Sequence, residues 1–171
     1  KVNLATTLLS MSNFDEGFKE YAYRIYEDKN FKQYLNRKKE LWNGQNLENK
    51  TILVIAEEGL GNTIQYSRYL ETLSQLKCKI IFKCQEELHH LFGDLDFIDQ
   101  IISLESEFDT FDYWAPLQNL IYLLTPDINS NCPLPTPLKI HDNKLLEWET
   151  LIEVNNNVKI GLNWQGRRAN P

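Results

Sequence analysis

The stretch TILVIAEEGLGNTIQYSRYL, from Thr51 to Leu70, decides the fold of this chain. Its β-branched opening, Thr51–Ala56, predicts a buried strand, and two acidic residues and a Gly-Leu-Gly turn follow it. A helix is predicted to begin at Asn62 or Thr63 and to continue to about Leu76. Strand, glycine turn and helix make up the first half of a βαβ unit, which is where open α/β sheets usually bind ligands.

Predicted strands and helices continue to alternate after this unit. They are a strand at Cys78–Cys84, a helix at Glu86–Phe92, a strand within Phe97–Ser103, a strand at Phe111–Ala115 and a helix from Pro116 through Leu124. This spacing predicts an α/β fold with a doubly wound parallel sheet, over residues 51–157.

The last part of the chain predicts a loop, a helix and one more strand. Four prolines between residues 126 and 137 predict a loop there, and a helix is expected over Asp142–Val154. The candidate buried positions of this helix are Leu145, Leu146, Trp148 and Ile152. A strand predicted from Lys159 to Trp164 indicates that residues 158–171 begin a second domain, so we expect this sequence to be part of a longer protein.

Residues 1–30 predict two helices. Apolar residues recur at three- and four-residue spacing along the second of them, at Phe18, Tyr21, Ala22 and Ile25. The simplest interpretation is a helical hairpin that covers one edge of the domain. Residues 31–50 are polar and rich in turn-forming residues, and they predict a connector that Trp42 anchors to a neighbouring surface.

Composition and charge exclude several classes of function. The net charge of −6 argues against a nucleic-acid partner, because neutralising phosphates requires a basic face. No apolar run approaches the roughly 18 residues that a membrane helix needs. The chain opens with Lys1-Val2-Asn3 and shows no export leader, so a cytoplasmic location is expected.

The three cysteines predict neither a disulfide framework nor a metal site. Cys78 and Cys84 lie on one predicted strand, hence roughly 20 Å apart, whereas a bridge needs Cα atoms within about 7 Å. No CxxC or Cys/His spacing typical of zinc occurs. We therefore expect no metal and a reducing compartment.

The glycine turn matches neither common nucleotide-binding motif. A GxGxxG fingerprint that starts at Gly59 requires a glycine where Ile64 stands, and Lys83-Cys84-Gln85 replaces the acid expected after the second strand. GxxxxGK[ST] has no match either. Two interpretations remain open. In the first, backbone N–H groups of the turn bind a phosphate or a sugar hydroxyl. In the second, the glycines serve only to let the helix pack on the strand.

Several segments, in the expected order along nearly the whole chain, resemble one group of bacterial proteins. They are Asn13–Gly17 followed by Tyr21, Leu41–Gly44, Thr51–Leu70, Phe111–Tyr113 with Pro116-Leu117, and Ile160–Gly166. These segments resemble tetratricopeptide-repeat (TPR) proteins that carry a glycosyltransferase domain. That domain is similar to the lipopolysaccharide heptosyltransferases, glycosyltransferase family 9.

The resemblance implies a GT-B enzyme, in which two Rossmann-like domains face each other. The first domain would bind a carbohydrate-type acceptor, and the second would bind the nucleotide-sugar donor. Residues 1–30 would be the TPR-like end of a repeat array that is able to dock a protein partner, and residues 51–157 would be the acceptor-side domain. Transfer would be inverting and would need no metal or other cofactor.

The site residues that follow from the glycine turn and the resemblance fall into two groups. The catalytic candidates are Glu57, Glu58 and Asn62, and the substrate-binding candidates are Gly59, Gly61, Thr63, Gln65, Asp112 and Trp114. Asp112 and Trp114 are included because the predicted strand places them at its C-terminal end, where ligands gather. For Gln65 the alternative is a solvated helix face, and for Trp114 it is a core aromatic.

One position departs from the family pattern. Family members usually carry Gly-Asp-Thr or Gly-Asp-Val, and their aspartate is regarded as the catalytic base, whereas this chain has Asn62. A neutral amide has no useful basicity near pH 7, so Asn62 is expected to cap the helix and to orient an acceptor hydroxyl. Three possibilities then remain: Glu57 or Glu58 serves as the base, the protein has lost transfer and kept sugar or protein binding, or the mechanism does not need this base.

Three functions therefore stay open from the sequence. The first is a glycosyltransferase-like domain, attenuated by the asparagine, that transfers a sugar from a nucleotide diphosphate sugar to an acceptor. The second is a non-catalytic TPR-containing module that binds a protein or a sugar. A nucleotide-binding regulatory domain is the third.

Overall fold

Five strands form the central sheet of the computed structural model. They are β1 (Glu40–Leu41), β2 (Thr51–Ile55), β3 (Lys79–Cys84), β4 (Gln100–Ser103) and β5 (Tyr113–Pro116). All neighbours pair in parallel, and the spatial order is β1-β5-β2-β3-β4. The predicted α/β fold with a doubly wound, Rossmann-like sheet is confirmed.

The structure describes residues 2–36, 39–57, 59–125, 127, 132–135, 138, 142–152 and 158–162. The α-helices are α1 (Val2–Ser10), α2 (Phe14–Tyr21), α3 (Lys29–Leu35), α4 (Leu60–Tyr66), α5 (Arg68–Ser74), α6 (His89–Phe92), α7 (Leu120–Leu124) and α8 (Asp142–Leu151). Short 3₁₀ segments cover Ala22–Tyr26, Glu86–Leu88 and Leu117–Asn119. Among the helices so described, none has both the length and the apolar character needed to cross a membrane.

Apolar side chains on both faces of the sheet require cover on both sides. Alternate residues of β2 point to opposite faces, with Ile52 and Val54 on one and Leu53 and Ile55 on the other. The first face packs against α5, α6 and α7. The second packs against Ile25, Phe31 and Tyr34, so the 3₁₀ segment Ala22–Tyr26 and α3 cover it.

The predicted helical pair is present at the N-terminus. α1 and α2 pack against each other, and Gly17 allows their close approach, because a Cβ at this position would lie 2.8 Å from Leu9 Cδ2. Phe14 and Phe18 of α2 also pack against the core on the first face of the sheet. The hairpin is therefore attached to the sheet domain through α2.

Residues 31–50, predicted to be a connector, take part in the sheet domain. α3 covers the second face, and β1 extends the sheet by pairing Glu40 with Tyr113 and Leu41 with Trp114. Trp42 is buried, as expected of an anchor, and its Nε1 donates to the Gln45 carbonyl at 2.9 Å. A strand of two residues is too short to leave a periodic pattern in the sequence.

Two helix boundaries differ from the predictions. The helix after β2 begins at Leu60 rather than at Asn62 or Thr63, and it is divided at Ser67 into α4 and α5. Pro116 is the last residue of β5 rather than the first of a helix, because the chain passes through a 3₁₀ turn before α7 begins.

Residues 140–171 form a separate unit, of which the structure describes α8 and residues 158–162. The predicted buried positions of α8 are wrong, because these side chains are exposed; they are Leu145, Leu146, Trp148 and Ile152. A ten-residue helix has no second apolar surface of its own against which to bury them. Residues 158–162 lie in no helix or strand, so the described part of the predicted strand at 159–164 is not a strand.

Candidate functional site

The candidate site lies at the carboxyl edge of the sheet, where the winding reverses beside β2. From β2 the chain proceeds to β3 and β4 on one side and then returns to β5 on the other side of β2. Open α/β sheets bind ligands outside the strand carboxyl ends at such a switch point. The segments that follow β2 and β5 meet here, since the backbone N–H of Gln118 donates to Glu57 Oε2 at 3.1 Å.

Glu57, a predicted catalytic residue, is buried in an ion pair at this switch point. Arg24 donates from Nη2 to both carboxylate oxygens, at 2.5 and 2.7 Å, and from Nε to Oε1 at 2.8 Å. The Arg24 and Glu57 side chains are only 11% and 5% exposed. These charge-assisted bonds occupy the carboxylate lone pairs with protein donors. Glu58, the other predicted base, lies outside the described residues.

Gly59 and Gly61 form a bare turn above the end of β2. Gly59 precedes α4 with φ of −87°, which any residue can adopt, and among the described glycines only Gly44 has a positive φ. A Cβ on Gly59 or Gly61 would meet no heavy atom within 4 Å. Neither backbone conformation nor packing accounts for these glycines, so the structure does not support the tight-turn interpretation. The turn leaves backbone surface open to an approaching ligand.

Asn62 lies in the first turn of α4 and is half-buried. Gly59 occupies the cap position, and its carbonyl accepts from the Asn62 N–H at 3.1 Å, so the prediction that Asn62 caps the helix is wrong. Gln65 is exposed on the same helix. Thr63 is fully buried, and its hydroxyl donates to Gln85 Oε1 at 2.9 Å. Asn62, Gly59 and Gly61 are therefore the predicted residues that stay together at the turn.

Asp112 and Trp114 do not lie at the carboxyl edge. Asp112 precedes β5 at the amino end of the sheet, where Oδ2 accepts from the Thr51 N–H at 2.8 Å. Trp114 is completely buried and stacks on Phe31 at a centroid distance of 5.8 Å. Their predicted position at the C-terminal end of the strand is wrong, because Asp112 comes before the first residue of β5 and Trp114 is only its second residue.

A cleft of about 390 Å³ opens beside the switch point, between the 3₁₀ segment Ala22–Tyr26 and the ends of β1 and β5. We call it the tyrosine cleft, after its polar lining residues Lys19, Tyr23, Tyr26, Asn43, Asn119 and Tyr122. The Tyr122 hydroxyl donates to Asn43 Oδ1 at 3.3 Å. Burial raises the pKa of Tyr122. Arg24 lowers this pKa, and Tyr23 and Tyr26 raise it further. The hydroxyl therefore remains protonated at neutral pH.

Asn119 presents an amide nitrogen at this cleft that makes no hydrogen bond among the described residues. The residue is 1% exposed, and its Oδ1 accepts from Arg24 Nη1 at 2.8 Å. A guanidinium can only donate, so the amide oxygen must face Arg24 and Nδ2 must point away from it. Among the described residues, no acceptor takes a hydrogen bond from Nδ2. Among the described residues, the fully buried polar side-chain atoms without a partner are Trp114 Nε1, Gln118 Nε2 and Thr125 Oγ1. Asn119 Nδ2 therefore keeps some contact with solvent, and a ligand oxygen in the cleft would accept a hydrogen bond from it.

A second cleft, of about 370 Å³, lies at the ends of β2 and β3. Lys83 at its wall is 6% exposed, and its Nζ donates to the Ser106 carbonyl at 2.6 Å and to the Tyr34 hydroxyl at 3.1 Å. Both partners are neutral, and within the described part of the chain no carboxylate lies close enough to Lys83 to form an ion pair. Asp28, Glu57 and Glu105 line the same cleft, which keeps its surroundings acidic.

The arrangement is better suited to binding a polar ligand than to removing a proton from one. Asn62 is a neutral amide, and the Glu57 carboxylate is already held by Arg24 and by a backbone N–H. By contrast, the glycine turn leaves backbone exposed at this sheet edge, and the Asn119 amide nitrogen has no acceptor among the described residues.

Sequence reasoning missed three residues of the site, Arg24, Asn119 and Lys83. Asn119 and Lys83 could have been found, because each stands at or just after the end of a predicted parallel strand. Arg24 left no such signal. It reaches the switch point only because the 3₁₀ segment folds across the second face of the sheet.

Comparison with known proteins gives one distant relative. The chain is 20% identical to Protein FlbA of Caulobacter vibrioides, in an alignment that covers 97% of this chain and 31% of that protein. The chain thus spans about a third of the length of this relative. No family model matches the chain, and no solved structure matches it significantly.

Proposed function

We propose that the chain is the acceptor-side domain of a glycosyltransferase-like protein, which transfers a sugar from a nucleotide diphosphate sugar to an acceptor. The observation that carries the proposal is the bare turn at Gly59 and Gly61, which leaves backbone exposed at the switch point without a conformational or packing reason. A Rossmann-like sheet whose ligand edge carries this turn agrees with the resemblance to family 9 glycosyltransferases.

Transfer by this domain would be attenuated. An inverting transfer needs a group that takes the proton of the acceptor hydroxyl as its oxygen attacks the anomeric carbon, and carboxylates do this well. Asn62 stands where the family carries aspartate, and Glu57 is held by Arg24. We therefore expect slow turnover, limited by proton removal rather than by binding.

The test restores the carboxylate in the natural protein that contains this chain. Wild type and Asn62→Asp are incubated with uridine, guanosine and cytidine nucleotide sugars, and nucleotide release and sugar transfer are measured. We expect a low basal rate and an increase of about 100-fold in the variant, the range typical of one positioned general base. Gln65→Glu is the matched control, because it adds a carboxylate on the exposed surface of the same helix. Properly folded Asn62→Asp protein with no transfer or donor hydrolysis would contradict the proposal.

A second candidate is a non-catalytic TPR-containing module that binds a protein or a sugar. The Arg24–Glu57 ion pair favours it, because Arg24 occupies the carboxylate that would otherwise serve as the catalytic base. Leu4 and Met11 in the N-terminal helical pair are 53% and 73% exposed, which leaves apolar surface for a protein partner. Sugar binding that persists while every variant lacks transfer would identify this function.

A further inference from the structure

We propose that the tyrosine cleft is a saccharide subsite, in which a neutral sugar unit of the acceptor binds between the N-terminal segment and the sheet. This inference rests on the proposed function and names the chemistry of its acceptor. The volume of the tyrosine cleft, about 390 Å³, falls within the range of small-molecule sites. It is separate from the glycine turn, on the side of the switch point that faces β1 and β5.

Hydrogen-bonding capacity in the cleft matches hydroxyl groups. The Asn119 amide nitrogen keeps some contact with solvent, and it holds two N–H donors without an acceptor among the described residues. Asn43 uses its Oδ1 to accept from Tyr122, which leaves its own amide nitrogen for a ligand. Lys19 adds an ammonium group to the wall. A sugar oxygen accepts from such groups, and its hydroxyl proton can be donated to the tyrosine oxygens.

The aromatic part of the lining favours a pyranose ring over an ion. Tyr23 and Tyr26 lie with their ring centroids 6.3 Å apart and are 40% and 58% exposed. The faces of aromatic rings carry negative potential and attract the polarised C–H groups of a sugar ring. None of the described lining residues is acidic or forms a metal-binding cluster, which distinguishes this cleft from the one beside Lys83.

The ion pair at the switch point keeps the subsite in place. Arg24 binds Glu57 and Asn119 together, so the Asn119 amide is oriented by the same guanidinium that fixes the 3₁₀ segment to the sheet. Tyr23 and Tyr26 flank Arg24 in that segment. The donors on the sheet side and the rings on the helical side are thereby held opposite each other before a ligand enters, which lowers the entropic cost of binding.

The experiment is a titration of the full 171-residue chain, labelled with ¹⁵N, with neutral methyl glycosides of glucose, galactose, mannose and N-acetylglucosamine. At least one glycoside should shift the side-chain amide signals of Asn43 and Asn119. Tyr26→Ala and Asn119→Asp should each weaken this binding by about tenfold. Aspartate at position 119 keeps an acceptor for Arg24 and removes the two donors. It also adds a negative charge, but this charge faces the Arg24 guanidinium, so the fold should persist. Asn46→Asp, on the exposed surface, is the matched control and should bind as wild type.

Other outcomes would overturn the inference. The inference is wrong if none of the glycosides shifts the Asn43 and Asn119 amide signals of a folded chain. It is also wrong if uracil or adenine shifts these signals and no glycoside does. Failure of the two proposals can be separated. If the natural protein transfers sugar and Asn119→Asp leaves its rate and acceptor KM unchanged, the subsite is wrong and the transferase remains. If glycosides bind in the cleft but no transfer occurs, the transferase is wrong and the subsite remains.

Discussion

Arg24 connects the N-terminal segment to the sheet through a buried ion pair, and its removal should be costly. In Arg24→Ala the Glu57 carboxylate would stay buried without its partner, so we expect the free energy of unfolding to fall by about 3 kcal/mol. Urea denaturation monitored by circular dichroism measures this. Lys77→Ala is the control, because it breaks an exposed pair with Glu48 and should cost less than about 1 kcal/mol. Equal losses in the two variants would show that the Arg24 pair does not stabilise the fold.

Gly61 should respond to alanine in opposite directions for stability and for function. The residue lies in α4, and an added Cβ would meet nothing within 4 Å, so Gly61→Ala should raise the free energy of unfolding by up to about 1 kcal/mol. The same methyl group would cover open backbone at the ligand edge and should lower any transfer or binding activity. Glu71→Ala, on the exposed surface of α5, should leave activity unchanged. A Gly61→Ala protein that is stabilised and fully active would mean that the bare turn has no ligand.

α3 behaves as a structural part of the domain, and its core contact can be tested. Phe31 is 2% exposed and stacks on Trp114, so Phe31→Ala should cost about 3–5 kcal/mol and change the tryptophan fluorescence of the folded protein. Lys32→Ala, the exposed neighbour in the same helix, should have little effect. Thermal unfolding compares the two variants. If α3 were only part of a connector, both substitutions would leave the melting temperature unchanged.

The strands that the sequence predicted well are those with long apolar runs. β2 and β3 were placed to within one residue at each end, because consecutive buried residues identify a strand covered on both faces. β1 and α3 could not be recognised in the same way. β1 has two residues, and α3 exposes most of its surface while burying only Phe31 and Tyr34. Their positions depend on tertiary contacts with β5 and Trp114, which no local pattern contains.

The candidate site was predictable in its location and less so in its members. The order of strands and helices was enough to place the glycine turn at the carboxyl edge of the sheet. Asp112 was assigned to that edge wrongly, because it precedes β5 and lies at the amino end of the sheet. The partner of Glu57 comes from a segment 33 positions earlier in the chain, so its burial could not be inferred without the fold.

Alkaline pH should destabilise the whole sheet domain through a thiol in its core. Burial raises the pKa of Cys84 from its ordinary 9.0 to about 12. The folded value lies above the unfolded one, so the neutral thiol contributes its full stability below pH 9, and that contribution is lost as the pH rises and the unfolded chain ionises. Between pH 8 and pH 10 we expect Cys84 to account for a loss of about 1 kcal/mol in the free energy of unfolding. Urea denaturation at both pH values measures the loss.

Cys84→Ala is the control, because the other titrating groups remain in it. The difference in stability between wild type and this variant should therefore shrink by that amount at pH 10. Parallel pH profiles for the two proteins would show that the Cys84 thiol is not shielded by the cooperative fold of the domain.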